Sequence, residues 1–108
     1  MAAQLQKFKS GARGGMAASD LEQGASYYRQ FCAACHGPAA EGNPALNSPR
    51  LVGADDWYIV SQLEAFRSGS RGNDPRDRTG KQMRVMAVVL PDSAAVASVA
   101  AYIRSLEQ

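Results

Sequence analysis

Five consecutive residues, Cys32-Ala33-Ala34-Cys35-His36, constrain this chain more than any other stretch. Cysteines three apart on one helical turn face the same way, so both sulfurs can reach one edge of a flat macrocycle. The histidine next in sequence comes round beneath the ring and offers an imidazole nitrogen to a central metal. This is the attachment sequence of c-type haem, in which both thiols add to porphyrin vinyl groups and the histidine ligates iron. The chain contains two cysteines and one histidine in all, and the motif uses every one of them. A disulfide between Cys32 and Cys35 would be strained and would close too small a loop to stabilise much. A thioredoxin-like pair needs a strand–helix context, whereas the residues before Cys32 read as helix. Half of a zinc site would need two more ligands, and no Cys or His remains to supply them. Cys32 and Cys35 are therefore expected to carry one haem c, with His36 on its iron.

A chain of 108 residues has room for one small domain. Its core is thin, and a covalently held haem would supply a large apolar body to fold around. The formal charge of +2 falls to about zero once two haem propionates are counted, so neither nucleic acid nor an acidic membrane is implied as a partner. No stretch approaches the ~20 apolar residues of a membrane span. Met1 to Met16 holds basic residues but lacks the apolar centre of a signal peptide.

Taken in order, the chain first shows an internal repeat. Gln4 to Gly15 matches Gln62 to Asn73 at seven of twelve positions, with Lys9 against Arg67 conservative. Residues 1–18 are accordingly read as an N-terminal segment left from a preceding homologous haem domain, and residues 19–108 as the domain proper. Chance similarity between two basic helix ends is the alternative. Ser19 and Glu22 form a capping box, opening a helix expected to reach about Ala34. Leu21, Gly24, Ala25, Tyr28 and Phe31 lie on its apolar face. Gly24 costs ~1 kcal/mol in a helix interior, which suggests the close approach of another helix.

Gly37 to Gly53 reads as loop. Asp55 and Asp56 can cap a helix from about Trp57 to Ser68, ended by Gly69. Ile59, Val60, Leu63 and Phe66 form its buried stripe. Gly69 to Gln82 reads as a long basic surface loop. Pro91-Asp92-Ser93 starts a last helix that runs to about Leu106, with Val96, Val99, Ala100, Ile103 and Leu106 inward. Val85 to Leu90 is the one strand candidate, too short and isolated to pair. The expected fold class is all-α: three main helices and long loops around one covalent haem.

With no second histidine, the soft candidates for the other axial position are Met1, Met16, Met83 and Met86. Thioether ligation suits iron that shuttles electrons; a gap-filling core Met is the alternative for each.

From residue 19 onward the chain resembles the class I c-type cytochromes. The resemblance rests on Gly24 and Tyr28 before the haem motif, Pro49-Arg50-Leu51-Val52-Gly53, Tyr58, Gln62-Leu63 and Gly69-Ser70-Arg71. It continues through Met83, Leu90-Pro91-Asp92 and Ala100-Ala101-Tyr102-Ile103. The chain is most similar to single domains of bacterial two-haem cytochromes and to cytochrome domains of terminal oxidases. In that family the distal Met stands nine residues before the acidic residue opening the last helix, which from Asp92 gives Met83 rather than Met86.

By position, the resemblance also implies that the Pro49 carbonyl accepts from the other ring nitrogen of His36, and that Gly24 and Tyr28 cross the last helix near Tyr102. An ordinary turn proline is the alternative for Pro49. Trp57, Tyr58 and Arg71 are the donors available for the propionates, with simple solvent exposure the alternative for Arg71. Pro91 departs from the family, which often has Ser at the helix cap.

The resemblance implies a one-electron carrier and not an enzyme, with His36 and Met83 filling both axial positions. A haem enzyme or gas sensor with an open distal side is the alternative, and no distal base is present to serve it. Implied partners are redox proteins such as a terminal oxidase or reductase, in a respiratory chain. Haem of this kind is attached outside the bacterial cytoplasm, so a periplasmic site is expected, free or tethered at the outer face of the membrane. The missing export signal makes the start of the chain read as a domain boundary within a larger protein, such as a multi-haem chain.

Overall fold

The structure is a computed structural model that describes residues 18–106, without the side chains of Ala18 and Ser19. Residues 1–17, with the first copy of the repeat and two of the four methionines, lie outside the described residues. The elements are α1 (Ala18–Phe31), α2 (Ala33–His36), a 3₁₀ turn (Pro44–Leu46), α3 (Asp56–Ser68), α4 (Arg78–Val88) and α5 (Ser93–Ser105). The described residues form no strand, only an isolated bridge between Asn43 and Ser48. The fold class is all-α, as expected.

The frame is the pair α1 and α5, the most extensive helix contact among the described residues. A Cβ on Gly24 would stand 2.0 Å from the Ser98 carbonyl oxygen, so only a residue without a side chain lets the two backbones meet there. Four residues on, Tyr28 packs its ring against Tyr102, with centroids 5.6 Å apart. Its hydroxyl donates to the Gly37 carbonyl at 2.6 Å, which ties the crossing to the end of the haem motif. Tyr28, Val96, Val99 and Ile103 are the largest fully buried side chains. α3 lies against α5 and contributes Ile59, Leu63 and Phe66 to the same core. Asp92 caps α5, its Oδ1 accepting from the Ala95 amide at 2.9 Å.

Several boundaries differ from those expected. α1 does not run unbroken to Ala34: it stops at Phe31, and a separate turn, α2, carries the chain to His36. The hydrogen bonds continue across the break, with the Cys32 amide on the Tyr28 carbonyl and the His36 amide on the Cys32 carbonyl, each at 2.9 Å. Cys32 itself is distorted to φ −117, which interrupts the regular helix between α1 and α2. Ser19 sits inside the first turn of α1 and not at its cap. Asp55 is the N-cap of α3 but makes no side-chain capping bond.

The largest correction is α4. The stretch expected to be loop as far as Gln82, followed by a strand candidate at Val85 to Leu90, is a helix from Arg78 to Val88. Asp77 caps it, accepting from the Gly80 amide at 2.9 Å. Gly80 looks like a helix breaker, yet a Cβ there would strike the Asp77 carboxylate at 2.0 Å, so the glycine makes room for the cap. Ala87 and Leu90 are buried, with Met83 packed against them, and this core contact outweighs the low helix propensity of Gly80 and the valines.

The haem-binding cleft

The haem motif, one loop and the faces of three helices converge on one cleft. It is lined by the haem motif, the Leu46–Leu51 loop, α3, the start of α4 and the inner face of α5, and encloses about 1120 Å³ including its open mouth. Most of its surface is apolar.

His36 is the most constrained group in it. The side chain is only 6% exposed, and Nδ1 lies 2.9 Å from the Pro49 carbonyl oxygen. A carbonyl can only accept, so Nδ1 carries the proton and Nε2 is left as the basic nitrogen. The loop that supplies this carbonyl is held by its backbone. Gly42 donates to the His36 carbonyl at 2.7 Å, while Leu51 and Val52 both donate to Ala40. The chain leaves His36, folds back on it and fixes its tautomer and ring plane.

Cys32 and Cys35 line the same cleft, Cys32 half-buried and Cys35 exposed. Burial, reinforced by the neighbouring Cys35, pushes a free Cys32 thiol up to about 11. A thiol so far from its thiolate is a poor ligand for zinc and a poor attacking group for disulfide exchange.

The other expected residues are distributed as follows. Pro49, Tyr58 and Arg71 line the cleft; Trp57 does not, lying exposed with its ring edge-on to Tyr58 at 6.2 Å. Arg71 bonds to Gln62 Oε1, and its guanidinium lies 4.4 Å above the Phe66 ring. Met83 and Met86 are both half-buried and both line the cleft from α4. Sequence reasoning gave Gln62 no place at the cleft, because its partner lies nine residues away with no periodic signal to connect them. Nor did it place Leu46, which comes from a loop without a pattern.

The description "Cytochrome c" belongs to the family model that matches residues 21–107, nearly the whole described domain. The chain belongs to the cytochrome c family. Among relatives, the cytochrome c-554(547) of Halothiobacillus neapolitanus is 30% identical over 95 residues, 83% of this chain and the whole of that protein. The cytochrome c4 of Azotobacter vinelandii is 37% identical over 75 residues, 69% of this chain and 34% of that protein. A thiosulfate dehydrogenase electron acceptor of Stutzerimonas stutzeri (strain A1501) is 46% identical over 56 residues, 52% of this chain. The match spans about a quarter of that acceptor's own length. No solved structure matches.

As a class I c-type cytochrome, the domain transfers electrons through a haem c held covalently by Cys32 and Cys35. The cleft fits that group: two thiols and a buried imidazole with one free nitrogen stand together in it, and thioethers reach the same apolar space from α4. No described helix is long and apolar enough to cross a membrane by itself.

Proposed function

We propose that the domain is a one-electron carrier whose haem iron is held by His36 and Met83, and that it is not an enzyme. The observation carrying this is the placement of Met83 on the lining of the cleft that holds His36, with no second imidazole in the chain. Bound haem supplies a reversible ferrous–ferric couple. His36 serves as a neutral ligand of fixed tautomer, its Nδ1 proton engaged by Pro49. Leu63, Phe66, Val99 and Ile103 keep the lining dry, which limits the rearrangement of water when charge changes. Tyr58 and Arg71 at the cleft offer donors to the propionates. Pro49 and Trp57 stand apart from these: the first acts through His36, and the second takes no part at the cleft lining.

The setting proposed is periplasmic and respiratory, with redox proteins such as a terminal oxidase or reductase as partners. Free and tethered forms are both compatible with relatives that the match covers wholly or by about a third. The repeat bears on this. Gln62, Leu63, Phe66 and Arg71, four of the seven residues repeated at Gln4 to Gly15, line the cleft. Residues 4–15 thus keep the side chains of a haem-cleft wall, as a remnant of a preceding haem domain would. A reading frame without a second Cys-x-x-Cys-His upstream would sink that idea.

Carbon monoxide tests the carrier assignment. Reduced protein with both axial positions filled binds it slowly and weakly. Rapid, tight binding would instead favour an enzyme or gas sensor with an open distal side.

A further inference from the structure

The charges of the described residues are segregated. From Arg67 to Arg84 stand six cations and two carboxylates, a net +4; the remaining described residues hold three cations and seven carboxylates, a net −4. Within the basic segment, Arg67 pairs with Glu64, Arg76 with Asp74, and Arg71 with Gln62. The side chains of Arg78, Lys81 and Arg84 make no hydrogen bond or ion pair among the described residues.

These unpaired cations share α4 with its exposed apolar residues. Val85 is 63% exposed and Val88 51%, and Val89 follows at the C-cap. At 100° per residue, Arg78, Lys81, Val85, Val88 and Val89 fall on one side of the helix. Thr79, Gln82, Met83 and Met86 fall on the side that lines the cleft. Exposed valines are poor helix formers and gain nothing from water, so three together at the end of one short helix do nothing for folding.

We infer that this outer face of α4 is the docking surface for a redox partner that presents carboxylates around an apolar centre. The inference rests on the carrier assignment and adds to it the face and the chemistry of the partner. Arg78 and Lys81 meet the carboxylates, while Val85 and Val88 meet the apolar centre. A partner seated there is about one helix diameter, roughly 10 Å, from the methionines that line the cleft. The chain's own residues 1–17 do not fit as cover, because they carry Lys7, Lys9 and Arg13 and no carboxylate. An anionic membrane fits less well than a protein, since the face lacks the Trp, Phe and Leu that anchor interfacial helices.

The test uses haem-loaded ferrous protein, titrated by amide NMR with a random copolymer of glutamate and tyrosine as acidic, partly apolar probe. Anionic phosphatidylglycerol vesicles form a second arm, read by co-sedimentation. Shifts are expected to cluster on Arg78 to Val89 and to vanish at about 0.5 M salt. Arg78→Glu with Lys81→Glu should weaken binding roughly tenfold or more. Val85→Ser with Val88→Ser should weaken it roughly fivefold at unchanged charge. Arg29→Glu, an exposed change on α1, should have little effect. The inference is overturned if shifts spread equally to Arg29 and Arg50, if the valine pair is silent, or if only the vesicles bind. Failure of the carrier assignment reads out separately, as carbon monoxide taken up rapidly by the unmodified protein.

Discussion

His36 donates from Nδ1 to the carbonyl oxygen of Pro49 across 2.9 Å, thirteen residues further along the chain. The bond is made to backbone, so it survives any side chain at position 49 that keeps the loop in place. Pro49→Ala should leave the absorption spectrum and reduction potential of the haem protein nearly unchanged. It should lower stability by about 0.4–1 kcal/mol, through greater freedom of the unfolded chain. Denaturant titration followed by haem absorbance measures the stability, and a spectroscopic redox titration the potential; a large shift in potential would mean that the ring of Pro49 itself acts on the haem.

Gly24 and Ser98 make the opposite kind of contact, in which nothing can be added. Gly24→Ala places a methyl 2.0 Å from a backbone oxygen, so α1 and α5 must separate. Overpacking of this kind costs typically 1–3 kcal/mol and sometimes more. A thermal or urea midpoint equal to wild type would contradict the crossing.

The cap of α4 predicts a sign change. Asp77→Ala should cost about 1 kcal/mol, as loss of an N-cap does. Gly80→Ala in the native background drives the Asp77 carboxylate off the cap, which offsets the propensity gained by alanine. In the Asp77→Ala background the same change should stabilise by up to about 1 kcal/mol. A double-mutant cycle reads the coupling, and additive effects would show that Asp77 and Gly80 do not share one space.

How legible α4 was in the sequence follows from the same residues. The haem motif and the Asp92 start of the last helix stood out because each is a short-range signal, while the Gly24–Tyr28 crossing followed from the family resemblance. Met83, Ala87 and Leu90 carry a helical period too, at spacings of four and three. It was hidden by Gly80 and by a run of β-branched residues, which locally favour strand or loop. Tertiary burial overrode that preference, and no local rule could weigh it. The break at Cys32 was equally invisible, since Ala33 and Ala34 beside it are good helix formers and no Gly or Pro marks it. The Gln62–Arg71 contact at the cleft depends on how the chain turns after Gly69, which spacing alone does not determine.

Tyr28 predicts a dependence on pH. Burial, with smaller contributions from the nearby Cys32, Glu41 and Tyr102, holds its phenol well above the ordinary value near 10. The folded state keeps a proton that the unfolded state gives up. The stability involved is complete below about pH 10 and is lost as pH rises from there through the folded-state value. Tyr28→Phe removes the bond to the Gly37 carbonyl, costing about 1 kcal/mol at neutral pH, and should flatten the alkaline loss. Unfolding of the ferrous haem protein, compared at neutral and strongly alkaline pH, measures this. Equal alkaline slopes in the two proteins would assign the effect elsewhere.

The central claim concerns the sixth ligand. Met83 and Met86 are three residues apart on α4 and both line the cleft, so the spectrum of single variants separates them. Oxidised wild-type protein should be low-spin with the long-wavelength band of Met-to-iron charge transfer. Met83→Ala should abolish that band and admit carbon monoxide readily to the reduced form, while Met86→Ala keeps the band and changes stability alone. Retention of the band in Met83→Ala with its loss in Met86→Ala would contradict the assignment. Absence of the band from the wild type would contradict the His/Met carrier itself.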